Sequence, residues 1–374
     1  MSRMIRILSN RLPSLTNRAC PNQKIYYICN QFLSQSFALQ IFRFKSFGSL
    51  VPALRYAKCN LFNYTETCKG HHKGGFNGFF TVSGILTFLG LQKEEEPESV
   101  LITTMKRGVL LIQQGELQKS EQMLHIALKL AQEQQNSDAI TYIYDLLANV
   151  ALEAHDLPKA EKLFVTVLQR LLSAGCAEDD NKVLHISLKL ASIYKEKGNK
   201  IKAEEGFKFC ENHLQKKVER GSVDDDTLLL WAMTLDWYAR FAMDQNRFKE
   251  AFAFFEKAYE TSLRVNGLVH EQNVILLNDL GTLCCLQNNY DEAIKYLNQA
   301  IDITKKIPDM EEAAAVYVNL GTVYIKRKMF EEAKQACKEG WRNAKQKNDK
   351  ETLEEANLCL EELKTLYAAQ GANT

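Results

Sequence analysis

Apolar and small residues between positions 101 and 340 fall into six copies of one pattern, separated by short polar stretches. Small residues stand twelve positions apart as Gly108 and Ser120, Ala148 and Ala160, Ala191 and Ala203, Ala239 and Ala251, Gly281 and Ala293, Gly321 and Ala333. Seven residues further on, Ala127, Val167, Cys210, Ala258, Ala300 and Gly340 form a third, small-biased column. Larger apolar residues keep the same register. Leu117, Leu157, Phe248, Tyr290 and Phe330 precede the second small residue by three positions, and Phe164, Phe207, Phe255 and Leu297 follow it by four. Two antiparallel helices joined by a tight turn approach closely only where neither carries bulk, so the pattern predicts six helical hairpins. Each hairpin leaves an apolar face for the next, and local stacking of such units builds a superhelical solenoid. Residues 350–367 add one amphipathic helix, with Leu353, Ala356, Leu360, Leu363 and Leu366 or Tyr367 on one side, expected to cap the array.

This grammar resembles the tetratricopeptide repeat. Tyr317, Leu320, Gly321, Tyr324 and Ala333 match the family's signature best, whereas Arg107 and Ser120 depart from it in the first repeat. Successive anchors lie 40, 43, 48, 42 and 40 residues apart, longer than the usual period, and resemble the kinesin light chain branch. The connection Asn266-Gly267-Leu268-Val269-His270 has the same character. The expected fold class is therefore all-α: a tetratricopeptide-repeat-like superhelical solenoid over 100–368, preceded by a poorly ordered N-terminal region.

Charge divides the chain in two. Of 47 basic and 46 acidic residues, 11 basic residues and one acid, Glu66, fall in 1–73, so that part carries +10 and the remainder −9. Residues 1–65 hold Arg3, Arg6, Arg11, Arg18, Lys24, Arg43, Lys45, Arg55 and Lys58 with no acid among them, the composition of a mitochondrial transit peptide, here expected over 1–70. Residues 74–92 are uncharged and, as a helix, would span roughly 28 Å, near the thickness of a bilayer core. They are read as a candidate transmembrane segment, marginal because of their five glycines. His71, His72 and Lys73 precede it, and an acidic spacer, 93–99, follows with Glu94, Glu95, Glu96 and Glu98. With the basic side in the matrix, the repeats would face the intermembrane space.

The acidic body argues against nucleic-acid binding, which needs clustered Lys and Arg on phosphates. No His-Glu-x-x-His pair, phosphate loop, nucleophile elbow or dinucleotide fingerprint occurs, and His125, His155, His185, His213 and His270 lie too far apart for metal spacing. The ten cysteines contain no Cys-x-x-Cys pair and read as free, buried thiols, with Cys210 and Cys337 on packing positions. The sequence thus predicts no enzyme, cofactor, metal or small-molecule substrate. Function is expected in a partner groove lined by the first helices of the repeats: Tyr142, Asp145 and Asn149; His185, Ser192 and Lys195; Asp236 and Arg240; Asn278 and Thr282; Thr322 and Lys326. These lack the concentration of Lys, Arg and Asn needed to clamp a terminal carboxylate, and Asp145, Asp236 and Asp279 would repel one.

Two stretches carry a narrower resemblance. Ala139-Ile140-Thr141-Tyr142-Ile143-Tyr144-Asp145-Leu146-Leu147-Ala148-Asn149 and Ile186-Ser187-Leu188-Lys189-Leu190-Ala191-Ser192-Ile193-Tyr194 resemble helices of the mitochondrial tetratricopeptide repeat protein 19 family, as do Leu235-Asp236 and Ala239-Arg240. The similarity runs over about 100–365, and the order of presequence, apolar segment, acidic spacer and repeats matches too. The resemblance implies an inner-membrane protein, held through 74–92, that associates with respiratory complex III (cytochrome bc1) and supports turnover of its Rieske iron-sulfur subunit and clearance of its fragments. A cytosolic cargo or chaperone adaptor similar to kinesin light chain is the alternative. It predicts a heptad segment, which is missing, and no acid-free presequence.

Overall fold

The computed structural model describes residues 100–371 apart from 222, 223, 308, 309 and 311, so the expectations for 1–70, 74–92 and 93–99 lie outside the described residues. The described residues form thirteen helices and no strand, in line with the all-α expectation. In chain order they are α1 (Val100–Gln113), α2 (Leu117–Glu133), α3 (Ser137–Glu153), α4 (Leu157–Ser173), α5 (Asn181–Glu196), α6 (Lys200–Glu219), α7 (Asp225–Asp244), α8 (Phe248–Asn266), α9 (Glu271–Leu286), α10 (Tyr290–Thr304), α11 (Ala313–Lys326), α12 (Phe330–Lys347) and α13 (Lys350–Gly371). The contacts divide them into two compact units, the first ending at Val167 and the second starting at Leu168, so the boundary falls inside α4.

All six hairpin turns close the same way. Seven residues after each anchor the backbone enters the left-handed region, at Gly115, His155, Gly198, Asn246, Asn288 and Lys328. The N–H of that residue donates to the carbonyl three positions back, and the next N–H to the carbonyl five back, as in Gly198 to Lys195 at 2.9 Å and Asn199 to Tyr194 at 2.8 Å. This double bond pattern satisfies carbonyls that the ending helix leaves open. The following helix starts two residues after the left-handed one. Asp156 and Asn199 also cap the second helices of their hairpins by accepting from Lys159 N and Lys202 N.

In the first unit, α1, α2 and α3 pack around Leu101, Met105, Leu124, Ala127, Ile143 and Leu146, all buried. Ser120, which stands where the repeat favours Ala, is fully buried and donates its hydroxyl to Gly108 O at 2.8 Å. The departure from the repeat signature is thereby satisfied inside the hairpin. Glu121 on α2 pairs with Lys159 on α4 and is held below the usual carboxylate range by that bond first.

In the second unit each hairpin packs on the next, and the three columns of small residues lie at the helix contacts: Ala203, Ala251, Ala258, Ala293, Ala300 and Ala333 are completely buried. At Gly281 the approach needs a glycine, since a β-carbon there would stand 2.6 Å from Leu297 Cγ and 3.3 Å from Ala293 O. Between the third and fourth repeats, Glu204 on α6 accepts from Tyr238 Oη at 2.8 Å and from Arg247 Nη2 at 2.7 Å. Phe207, Tyr238 and Phe241 pack their rings beneath this bond, with Phe254 stacked 4.6 Å from Tyr238.

The capping helix α13 covers α11 and α12. Ala356 and Leu363 are buried as expected, Leu353, Leu360, Leu366 and Tyr367 are partly buried, and the Tyr367 hydroxyl donates to Glu331 at 2.6 Å. One expectation is corrected here: the cysteines are not all free thiols. Cys337 of α12 and Cys359 of α13 form a disulfide within this last core, while Cys176, Cys210, Cys284 and Cys285 are free among the described residues. Neither cysteine belongs to a short-spaced pair. The helix packing brings them together across 22 positions of sequence.

Candidate functional groove

The twelve residues expected to line a groove all lie on first helices of the hairpins, and each unit presents its own set. In the first unit Tyr142, Asp145 and Asn149 share α3 at helical spacing and are all half-buried. Asn149 Nδ2 donates to Asp145 O at 2.7 Å, so this amide is turned back onto its own helix.

In the second unit the expected set separates into a buried layer and a more open one. Asp236, Arg240 and Asn278 are only 2%, 6% and 6% exposed, so they are not offered to a partner as the sequence suggested. Arg240 Nε donates to Asp236 Oδ1 at 3.0 Å on the same helix, and its Nη2 donates to Asp279 of α9. Asn278 accepts from Asn319 Nδ2 of α11 at 2.8 Å. The physical reason is the stacking itself: residues inward on one first helix meet the neighbouring first helix before they meet solvent. A buried charge is retained only where it is paired. Here one guanidinium serves two carboxylates, and the sequence pattern gave no sign that Asp279 would join.

That imbalance appears in the titration of the cluster. Burial pushes the Asp279 carboxyl up from its ordinary value to about 7, against the attraction of Arg240 and with the help of repulsion from Asp236. Asp236 is also raised, by burial first, with Arg240 and Lys195 opposing. On the neighbouring α5, Lys195 pairs with Asp244, at the end of α7, at 2.9 Å. Asp244, which pairs with one of the residues expected to line the groove, is one that the sequence reading missed; its signal is a position at the last turn of α7, level with the hairpin turn.

The more open layer keeps Ser192, Thr282 and Thr322 half-buried and Lys326 exposed. Thr282 and Thr322 donate to the carbonyls four residues earlier, Asn278 O at 2.9 Å and Val318 O at 3.1 Å, a common use of a helical threonine. His185 has a buried Nε2, and burial, with Lys189 adding, holds its imidazole well below the ordinary value, so the ring is neutral at pH 7. The arrangement offers short polar side chains, a neutral imidazole, Lys195 paired with Asp244 and an exposed Lys326 along first helices. Among the described residues that were expected to line the groove, no nucleophile stands beside a base. Among the described residues no group of three His, Cys, Asp or Glu side chains could hold a metal ion.

Comparison with known proteins fits this geometry. A family model described as "Tetratricopeptide repeat" matches residues 231–306, and one described as "Anaphase-promoting complex subunit 5" matches 89–154 and 281–367. Among solved structures, a Rap protein complexed with competence and sporulation factor aligns with a TM-score of 0.50 at 15% identity, covering 78% of this chain and 83% of that one, a likeness of fold alone. Sequence relatives say more. The chain is 37% identical over 294 residues to "Tetratricopeptide repeat protein 19 homolog, mitochondrial" of Drosophila melanogaster, covering 78% of this chain and 80% of the relative. It is 36% identical over 279 residues to "Tetratricopeptide repeat protein 19, mitochondrial" of Homo sapiens, covering 72% and 73%. These names support a mitochondrial placement. With identity of this level spread across most of both proteins, the chain belongs to the tetratricopeptide repeat protein 19 family.

Proposed function

We propose that this protein is a non-catalytic scaffold of the mitochondrial inner membrane that docks on respiratory complex III and holds or releases fragments of the Rieske iron-sulfur subunit for a separate protease. The observation that carries this reading is the family relationship, which spans the repeat array. The groove supports it: its side chains suit recognition of a protein surface and assemble no reacting centre. On this reading 1–70 direct the chain to mitochondria, 74–92 tether it, and the repeats work in the intermembrane space with Tyr142, Asp145, Asn149, His185, Ser192, Lys195, Thr282, Thr322 and Lys326 nearest the partner. Among the described residues no helix is long and apolar enough to cross a membrane, so a tether falls to the segment before Val100.

Affinity isolation of the tagged full-length chain from digitonin-solubilised mitochondria tests the reading. Recovery of complex III subunits, the Rieske protein included, is expected. A chain found in the cytosol with motor or chaperone partners and without complex III subunits would favour the adaptor alternative.

A further inference from the structure

Among the described residues the last repeat has a feature that no other hairpin shares. Cys337 lies on the small-residue side of α12 and is fully buried, and Cys359 on α13 is 5% exposed. Their α-carbons are 6.2 Å apart, inside the window of about 4.4–6.8 Å that a disulfide spans without backbone movement. Gly321 of α11 faces the pair: a β-carbon there would press on Cys337 Sγ and come within 3.2 Å of Cys359 Sγ. A glycine, a buried cysteine on the last hairpin and a buried cysteine on the cap therefore occupy one contact. The cap packs on α11 and α12 and leaves Leu358 on its outer face 65% exposed.

We propose that the Cys337–Cys359 disulfide is a redox-set closure of the repeat array, fixing the capping helix on the last hairpin when the chain matures among disulfide donors and leaving it able to detach where thiols are kept reduced. The oxidant is a protein disulfide. The thiolate of one cysteine attacks it to form a mixed disulfide, and the second thiolate then displaces the donor. The two cysteines lose two electrons and two protons in total, and the donor leaves as a dithiol. Because both sulfurs are buried once α13 has docked, the bond closes as α13 docks and afterwards exchanges with thiols only when α13 opens locally. Disulfides persist in oxidising compartments and are rare where glutathione keeps thiols reduced. In its oxidant the proposal rests on the intermembrane-space reading given above.

The full-length chain, isolated from mitochondria after rapid alkylation of free thiols, is nicked with trypsin after Lys347, at the connection between α12 and α13, then analysed with and without reductant. The expected result is a 337–359 cross-linked peptide, with the α13 fragment remaining attached until reductant is added. In the Cys359→Ala variant, and equally in the unaltered chain treated with reductant, the nicked α13 fragment is expected to be lost from the array, because the nick leaves the disulfide as its one covalent link. The reductant arm needs no substitution and so separates loss of the bond from misfolding. Alkylated Cys337 and Cys359 in the unreduced chain would overturn the proposal. Protease accessibility in mitoplasts reports sidedness independently. An accessible repeat domain with free thiols removes the closure and keeps the intermembrane-space reading; a protected domain with the cross-link does the reverse.

Discussion

One guanidinium cannot neutralise two buried carboxylates, and Arg240 faces both Asp236 and Asp279. An acid whose folded-state pKa lies above its unfolded value binds a proton on folding in the window between the two. For Asp279 that window runs from its ordinary value of 3.8 to about 7, so its contribution favours the folded state near pH 4 and is lost as the pH rises towards 7. Asp279→Asn cannot ionise and escapes this loss. Measured by urea unfolding, the variant should gain on the parent by about 1–2 kcal/mol between pH 5 and 7, at roughly 1.4 kcal/mol per pH unit for one proton. Parallel stability curves would contradict the account. These residues also show where the sequence stops being legible. Asp236 and Arg240 sit at positions that face inward on an isolated helix, which the spacing reveals. Whether inward means open groove or buried contact depends on how closely the next first helix approaches, and no single-helix pattern contains that distance.

At the scale of the element, the hairpins were legible because close helix contact needs small residues, and their twelve-residue spacing survives even where identity drifts, as at Ser120. The turns were not. The left-handed position is occupied by Gly, His, Gly, Asn, Asn and Lys in succession, a column with no chemical identity, held by the paired carbonyl bonds at each helix end. Only in two of six turns does glycine mark it. A residue with a β-carbon gives up about 1–2 kcal/mol in that region, whereas glycine enters it freely. Gly198 has open space around its α-carbon, so Gly198→Ala isolates the backbone effect and should lower stability by roughly 1 kcal/mol. Lys328→Gly should act in the opposite direction by less than that, because glycine also frees the unfolded chain. Thermal or denaturant midpoints read both, and a neutral Gly198→Ala would show that the turn is set by something other than backbone preference. The cysteine pair was equally hidden. The sequence placed Cys337 at a packing position and predicted α13, but the register of α13 against α12 decides that Cys359 is its neighbour.

At the scale of the whole molecule, the sequence divides into a basic first segment, an uncharged stretch and an acidic repeat body, and the described residues supply the body as two compact units of stacked hairpins. Repeat arrays draw stability from neighbour contacts, so a terminal cap and its fastening matter more here than in a closed core. Recognition in such an array is spread over many modest contacts. Single substitutions at half-buried positions such as Ser192 or Thr282 are therefore expected to weaken docking less than a combined change across repeats, with each folded variant checked by its unfolding midpoint. The claim that joins all three scales is that this body is held against complex III. Cross-linking mass spectrometry on intact mitochondria containing the full-length chain measures it most directly. The account predicts cross-links from lysines of the repeat body, Lys195 and Lys326 among those closest to the groove, to subunits of complex III that face the intermembrane space. Reproducible cross-links confined to matrix or cytosolic proteins would contradict it.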